Sequence, residues 1–297
     1  MAGQSDTSAT DMFTWPPKEA PTPPPKAPEP IQIRVPHPLI ESIEVHLLGR
    51  TGLAFDQWAL QTGWARDGSA DYCWRCGGSI GGHETDGEGC ADCRDKKLPW
   101  DRAIRLGRYK DVIRQEVLAL KFAGWRPTGD GLGMHLGLAI LEQLEHAQIS
   151  PESAVLVPIP MHRFRRVARG VEHTLVLARA AAKSSGSDVL PVLSTRWRPE
   201  QVGLSMTARA RNIKGAFFFS KSGMRAMKKT IAQERRVYIL IDDVRTTGAT
   251  FVAASKALKT AIEDELRTNS DFKGQIEIWT ACIGVASEYR RDVVFEE

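Results

Sequence analysis

Apolar residues recur every three or four positions in YKDVIRQEVLALKFAG (109–124) and LGMHLGLAILEQLEHA (132–147), a spacing that predicts two helices, each with one buried face. Other stretches follow a different rule. SAVLVPIP from Ser153 and VYILI from Val237 to Ile241 are continuous apolar runs too short for helices, and they predict strands buried on both faces. VEHTLVLARAAAKS returns to helical spacing, and so does ATFVAASKALKTAIEDELR. DVLPVL reads as a short strand, RARNIKGAFFFS as the end of a helix and the start of a strand, and QIEIWTACIGVA as a late strand. Strands that alternate with helices predict an α/β fold, three layers deep, around a mostly parallel sheet.

Upstream the pattern dissolves. WPPKEAPTPPPKAPEPIQIRVPHP repeats proline so often that neither helix nor sheet can propagate, and residues 1–38 are expected to form a disordered, solvated arm. A polyproline II segment of this kind also suits an SH3-like groove. Residues 39–70 form an amphipathic lead-in that includes IESIEVHLLGRTGLAFDQWAL, residues 71–100 a cysteine-rich module, and residues 101–297 the α/β domain. No internal repeat is visible.

Composition narrows the class only a little. The chain has 297 residues, 42% hydrophobic and 26% charged, which is ordinary for a globular protein. Lys and Arg outnumber Asp and Glu by 40 to 36, a balance that neither demands nor opposes a nucleic-acid partner. No apolar run approaches the roughly 18 residues of a membrane span. MAGQSDTSATDMFTWPP lacks the basic and apolar regions of a signal peptide, so a cytoplasmic location is expected, where cysteines serve more often as ligands or thiols than as disulfides.

Cys73, Cys76, Cys90 and Cys93 form C-x2-C-x13-C-x2-C. Each C-x2-C turn brings two sulfurs to one side, so the two turns together can hold a tetrahedral Zn2+. A redox dithiol is the rival reading, but such motifs normally occur singly at a helix start after a strand. The Gly-rich loop between the knuckles has no core of its own, and a structural zinc would supply one. His83 lies in that loop and reads as solvated; Cys282, inside IWTACIGVA, reads as core.

The sharpest signal follows VYILI. Within one step the chain turns into Asp242 and Asp243, then Thr246, Thr247, Gly248, Ala249 and Thr250, and then a helix. Ligands in parallel sheets bind at the carboxyl ends of strands. Neighbouring acids there can accept hydrogen bonds from vicinal hydroxyls and help hold Mg2+, while successive backbone N–H groups and hydroxyls make an anion nest. Acids beside an anion nest suit a ribose 5-phosphate. A hydroxyl-rich helix cap is the plainer alternative. GDGLGMHLG misses the spacing of a dinucleotide fingerprint and follows no strand, and no GxxxxGK[ST] occurs. Basic residues at a second strand tip, in LVPIPMHRFRRVARG, offer a site for a pyrophosphate.

ILIDDVRTTGAT resembles the phosphoribosyl pyrophosphate (PRPP) signature of type I phosphoribosyltransferases. Together with the double C-x2-C, YKDVIRQEVLALKFAG, VPIPMHRFRRVARG and QVGLSMTARARNIKGAF, it is similar in order and type to the ComF family, associated with bacterial competence, over about residues 70–285. The resemblance implies a phosphoribosyltransferase-like fold behind a zinc module, and displacement of pyrophosphate from PRPP with Mg2+. Asp242 and Asp243 would be the catalytic pair on the ribose hydroxyls. Arg245, Thr246, Thr247, Gly248, Ala249 and Thr250 would hold the 5-phosphate, and Met161, His162 and Arg163 the pyrophosphate. Arg169, Gln201 and Arg209 are weaker candidates. It also implies a link to uptake of single-stranded DNA, directly or through DNA-processing proteins, with Trp74 and Trp197 as stacking candidates. The chain departs from the family at Val171, Glu172 and His173, where an aromatic residue, Asn and Gln are usual, and at Arg198, where Thr is common. A glutaminase half is absent from the pattern, so glutamine use is not expected, and the acceptor is left open.

Overall fold

β8, Val237–Arg245, runs through the middle of the molecule with Val237 to Ile241 all buried, as expected of a strand covered on both faces. The computed structural model describes residues 55–81, 84–122, 126–161, 172–196, 215–268 and 274–286, all within one compact unit. In chain order these form α1 (Phe55–Thr62), β1 (Thr85–Asp86), β2 (Gly89–Cys90), β3 (Arg102–Arg108), α2 (Asp111–Phe122), α3 (Arg126–His146) and β4 (Ala154–Pro158). Then come α4 (His173–Ser185), β5 (Asp188–Val189), β6 (Leu193–Thr195), β7 (Phe217–Phe219), α5 (Lys221–Ala232), β8, α6 (Ala249–Thr268) and β9 (Glu277–Val285).

Five strands make one sheet in the order β3-β9-β8-β4-β5, and every pairing is parallel. Its register sets Asp242 opposite Cys282, and Arg245 opposite Val285. The expected α/β architecture is therefore present, a five-stranded parallel sheet flanked by helices, consistent with the phosphoribosyltransferase-like fold. DVLPVL divides between β5, at the sheet edge, and β6, which pairs antiparallel with β7 in a separate ribbon.

Alternating residues of the strands feed two cores. Ile104, Leu106, Leu156, Ile239, Ile241, Trp279 and Ile283 face a core built with α1, α2, α3 and α4. Val155, Val157, Tyr238, Leu240, Ile278 and Cys282 face a second core built with α5 and α6. The lead-in contributes to the first: Phe55 is fully buried, edge-on to Trp64 and to His135 of α3, and burial among these rings pushes the imidazole of His135 down to about 4.

The glycines of GDGLGMHLG have a packing role that their spacing did not disclose. Gly129, Gly133 and Gly137 recur every four residues and so line one face of α3, pressed against α4. A Cβ on Gly133 would stand 2.6 Å from Ala180 Cβ and 2.8 Å from the Leu177 carbonyl oxygen, and one on Gly137 would meet Ser184 Oγ and the Ala181 carbonyl oxygen. Close approach of two backbones thus replaces side-chain interdigitation. Gly133→Ala should cost about 1–3 kcal/mol despite alanine's better helix propensity, because overpacking against a backbone carbonyl outweighs it. Chemical denaturation checks this, and an unchanged or raised midpoint would refute the tight seam.

Candidate functional site

At the carboxyl edge of the sheet β8 leaves both cores at once. Asp242 and Asp243 project to opposite faces, as successive strand residues must. Asp242 is partly exposed, whereas Asp243 is 6% exposed. Beside them β4 ends, with the Ile159 amide still donating to the Ile241 carbonyl at 2.9 Å, so Pro160 and the half-buried Met161 stand next to the acid pair. His162, Arg163, Arg169, Gln201 and Arg209, together with His83, Trp197 and Arg198, lie outside the described residues.

Two residues absent from the sequence-based candidates complete the acid site. Lys121, in the last turn of α2, places Nζ 3.0 Å from Asp243 Oδ1, and His173, the first residue of α4, places Nε2 2.8 Å from Asp243 Oδ2. His173 is held there by its neighbour, because the Thr174 hydroxyl donates to the Ile159 carbonyl at 2.8 Å and so ties the start of α4 to the end of β4. The unusual histidine of the VEH triplet is thus a ligand of the second aspartate. Lys121 stood in a quoted motif, LALKFAG, but helical spacing alone does not reveal which strand tip a lysine at a helix end will reach.

The two carboxyls sit in opposed electrostatic states. Burial acts to raise Asp243, but hydrogen bonds and charge from His173 and Lys121 outweigh it and hold that carboxyl below the usual range. Desolvation, reinforced by the Asp243 charge, pushes Asp242 up to about 8. Asp242 Oδ1 also accepts the Asp243 amide at 2.9 Å, which fixes its rotamer. The charge of the pair is thus favoured on Asp243, and protonation is favoured on Asp242.

Beyond the acids the chain turns through Thr246, Thr247 and Gly248 into α6. Gly248 has φ of 81°, a left-handed conformation that side chains with a Cβ rarely adopt, and its carbonyl accepts the Val252 amide at 2.9 Å. The Ala249 amide is 3.3 Å from Thr247 Oγ1, a partial cap; Thr246 is exposed, and Ala249 and Thr250 are half-buried. Several amides thus gather at one helix start beside the acids. Arg245 behaves differently: it is 3% exposed, and its Nη1 donates to the Cys76 carbonyl, so the guanidinium is turned into the cysteine module.

In that module all four cysteines are buried and unbridged, and their sulfurs lie within 4.8 Å of one another. The Cys73–Cys93, Cys76–Cys90 and Cys90–Cys93 sulfurs are each 3.7 Å apart. That is far beyond a disulfide and close to the edge of a tetrahedron with a metal–sulfur distance of about 2.3 Å. Mutual hydrogen bonding lowers the Cys73 thiol, and the same crowding raises Cys76 and Cys93, so thiolates this close cannot all form without a cation among them. The four residues therefore fit a structural Zn2+. Arg75, inside the first knuckle, fastens the second through the carbonyls of Cys93 at 2.7 Å and Lys96 at 2.8 Å. Trp74, considered as a base-stacking residue, donates its indole N–H to the Asp86 carbonyl at 3.1 Å. Cys282 is core as expected, and its burial pushes the thiol up to about 12.

Fold and site together define a class: a parallel α/β protein with an acidic strand tip followed by a threonine-rich turn, beside a four-cysteine module that fits a metal ion. No family model matches the chain. It is 27% identical over 201 residues to competence protein F of Haemophilus influenzae, covering 67% of this chain and 83% of that protein. It is 25% identical over 196 residues to the DNA utilization protein YhgH of Escherichia coli K12, covering 65% of this chain and 77% of that protein. The corresponding protein of Salmonella typhi aligns over 242 residues at 24% identity, 79% of this chain and 95% of its own length. These relatives support the resemblance to the ComF family. Among the described residues no helix is long and apolar enough to cross a membrane.

Two outcomes follow for the bare protein. A raised carboxyl costs stability as pH climbs from its unfolded value near 3.9 to its folded value, so Asp242→Asn should gain on the order of 1–2 kcal/mol over wild type at pH 9, a gain that fades toward pH 4. Asp243→Asn should instead lose about 3 kcal/mol at pH 7, since it strands Lys121 and His173, and this loss should shrink in acid, where wild type loses the same carboxylate. Thermal melts from pH 2 to 9 separate the two signs. Metal analysis should find one zinc per chain, and a strong chelator should lower the melting temperature sharply; a substoichiometric metal content in intact protein would contradict the four-thiolate site.

Proposed function

We propose that this chain acts in competence-type handling of DNA, and that it does so by binding PRPP with Mg2+ at the tip of β8. The observation that carries the ligand reading is the junction of a split acid pair with an amide-rich turn at the carboxyl end of a central parallel strand. The competence and DNA utilization names of the relatives support the setting. In this reading the amides and hydroxyls of 246–250 receive the 5-phosphate and Asp242 meets the ribose hydroxyls. Asp243 keeps its place beneath, oriented by Lys121 and His173. Arg245 begins the anion turn. Met161, His162 and Arg163 supply the pyrophosphate end, with Arg169, Gln201 and Arg209 as further contacts.

If the site turns over, the reaction is displacement of pyrophosphate from C1 of the ribose, passing through a cationic sugar. Mg2+ supplies neutralisation of the diphosphate charge. The protein's own part is electrostatic: the Asp243 carboxylate lies under the sugar as positive charge develops, and amides fixed in the turn hold the phosphate without reorganising. The acceptor is not assigned.

The relatives' names also favour a second reading, in which the pocket is a ligand-sensing site on a DNA-handling accessory without turnover. Pyrophosphate release with a defined acceptor distinguishes the first; DNA binding that weakens steeply with salt, in the absence of release, distinguishes the second.

Titration calorimetry with PRPP and Mg2+ tests the common element. Binding should be lost in the Asp242→Asn, Asp243→Asn double variant. A cation near Asp242 favours its ionised form, so binding at pH 7 should release close to one proton. That release appears as a heat that changes with the ionisation enthalpy of the buffer and vanishes in Asp242→Asn. No binding to folded, zinc-loaded protein would sink the PRPP reading.

A further inference from the structure

The first knuckle presents three consecutive carbonyls, and each is taken by a different residue from outside the two knuckles. The Arg75 carbonyl accepts the indole N–H of Trp100 at 2.9 Å, the Cys76 carbonyl accepts Arg245 Nη1, and the Gly77 carbonyl accepts Arg105 Nη1 at 3.1 Å. Gly77 has φ of 69°, and a Cβ there would meet Ala103 Cβ at 3.3 Å and the Arg245 guanidinium at 3.9 Å. A knuckle that presents its carbonyls in this way needs both the left-handed glycine and the two sulfurs held together.

Two of those three partners lie against the turn at 246–250. Arg245 is the residue before Thr246, and its side-chain stem passes under the turn, 3.8 Å from where a Cβ on Gly248 would stand. The Trp100 ring lies 3.9 Å from the same point and packs edge-on against Phe251 of α6, with centroids 6.3 Å apart. Gly248 and Phe251 thus rest on residues, Arg245 and Trp100, whose polar ends are fixed by carbonyls of the first knuckle.

We propose that Arg245 is a positioning residue that couples metal occupancy of the four cysteines to the shape of the 246–250 turn, so that the metal module is a buttress for the anion site. Its side chain does not contact the phosphate; it works through the Cys76 carbonyl, whose direction is set when Cys73 and Cys76 share a metal. The proposal rests on the reading of the turn as an anion site for its functional meaning, but its structural claim does not. Linkage makes the effect reciprocal: whatever stiffens the turn should slow metal loss, and metal loss should loosen the turn.

The test is hydrogen exchange on the zinc-loaded full chain, read at 246–252, beside the rate of zinc transfer to a chromogenic chelator. Arg245→Met, which keeps the stem and removes the donor, should raise exchange in the turn and speed zinc release, each by about tenfold. Leu144→Ala, in the core on the other face of the sheet, should lower the melting temperature while leaving both readouts unchanged. Equal effects in the two variants, or no effect in Arg245→Met, would overturn the coupling. If Arg245→Met does not fold, chelation of the wild type decides: exchange at 246–252 should rise before exchange in α3 and α4, and a uniform rise would overturn the proposal. Inorganic phosphate, added to the wild type, should slow zinc release. If phosphate has no effect while Arg245→Met still loosens the turn, the coupling stands and the anion reading fails.

Discussion

A strand in the middle of a parallel sheet can carry a polar residue only where the layers that cover it end, because an uncompensated polar group between two cores costs several kcal/mol. β8 obeys this constraint over its whole length. Its first five residues are fully enclosed between α2, α3 and α4 on one side and α5 and α6 on the other, and its sixth and seventh are aspartates. The site begins where the covering ends. The neighbouring strands end at the same edge: β4 runs out at Pro158 and β9, whose buried Thr280 hydroxyl donates to the Arg102 carbonyl at 3.4 Å, at Val285, and their registers with β8 bring Met161, Asp242 and the turn after Arg245 together there.

Placing two carboxyls side by side at such an edge creates a second problem, since both cannot remain ionised with little water around them. The molecule resolves it unequally. One acid receives a lysine and a histidine from two different helices, which favour its charged form, while burial beside that charge favours the protonated form of the other, whose carboxyl is fixed by its neighbour's amide. The ion pair itself needs Asp243 and its partners and does not need Asp242.

Much of this was legible in the chain before any coordinates. Continuous apolar runs gave β4 and β8 and helical spacing gave α2, α3, α4 and α6, because each depends on a local period. The cysteine spacing gave the metal module, and the abrupt change after Ile241 gave the acid pair. What the sequence could not disclose depends on distance in the chain. Lys121 and Asp243 are more than a hundred residues apart, as are Arg245 and Cys76, and no periodicity links them. The helix α5, capped by Ser220, is absent from the expected elements although its apolar positions fall at helical spacing; its exposed lysines make it polar on average, so no apolar run marks it in the sequence. The glycines of α3 miss the dinucleotide spacing, and although an interval of four places them on one face of a helix, it does not say that α4 is what that face meets.

The cysteine module illustrates how a small metal site becomes part of a larger core. β3 sits at the edge of the sheet and directs Arg105 toward the module, where the side chain is 1% exposed and would be prohibitively desolvated without partners. Those partners are Asp67 at 2.7 Å, the Ser79 hydroxyl at 2.9 Å and the carbonyls of Gly77 and Asp71, with the Tyr72 ring beneath. A cation in such a position acts as a test of assembly, because it is tolerable only when the module is folded against the strand. Whatever holds the module folded therefore also licenses the edge of the sheet, and a metal on the four cysteines would do so. This gives a physical reason for a zinc-type site to precede a domain whose own hydrophobic core is ample: it closes the face where β3 has no covering helix, with backbone carbonyls that a helix would have used internally.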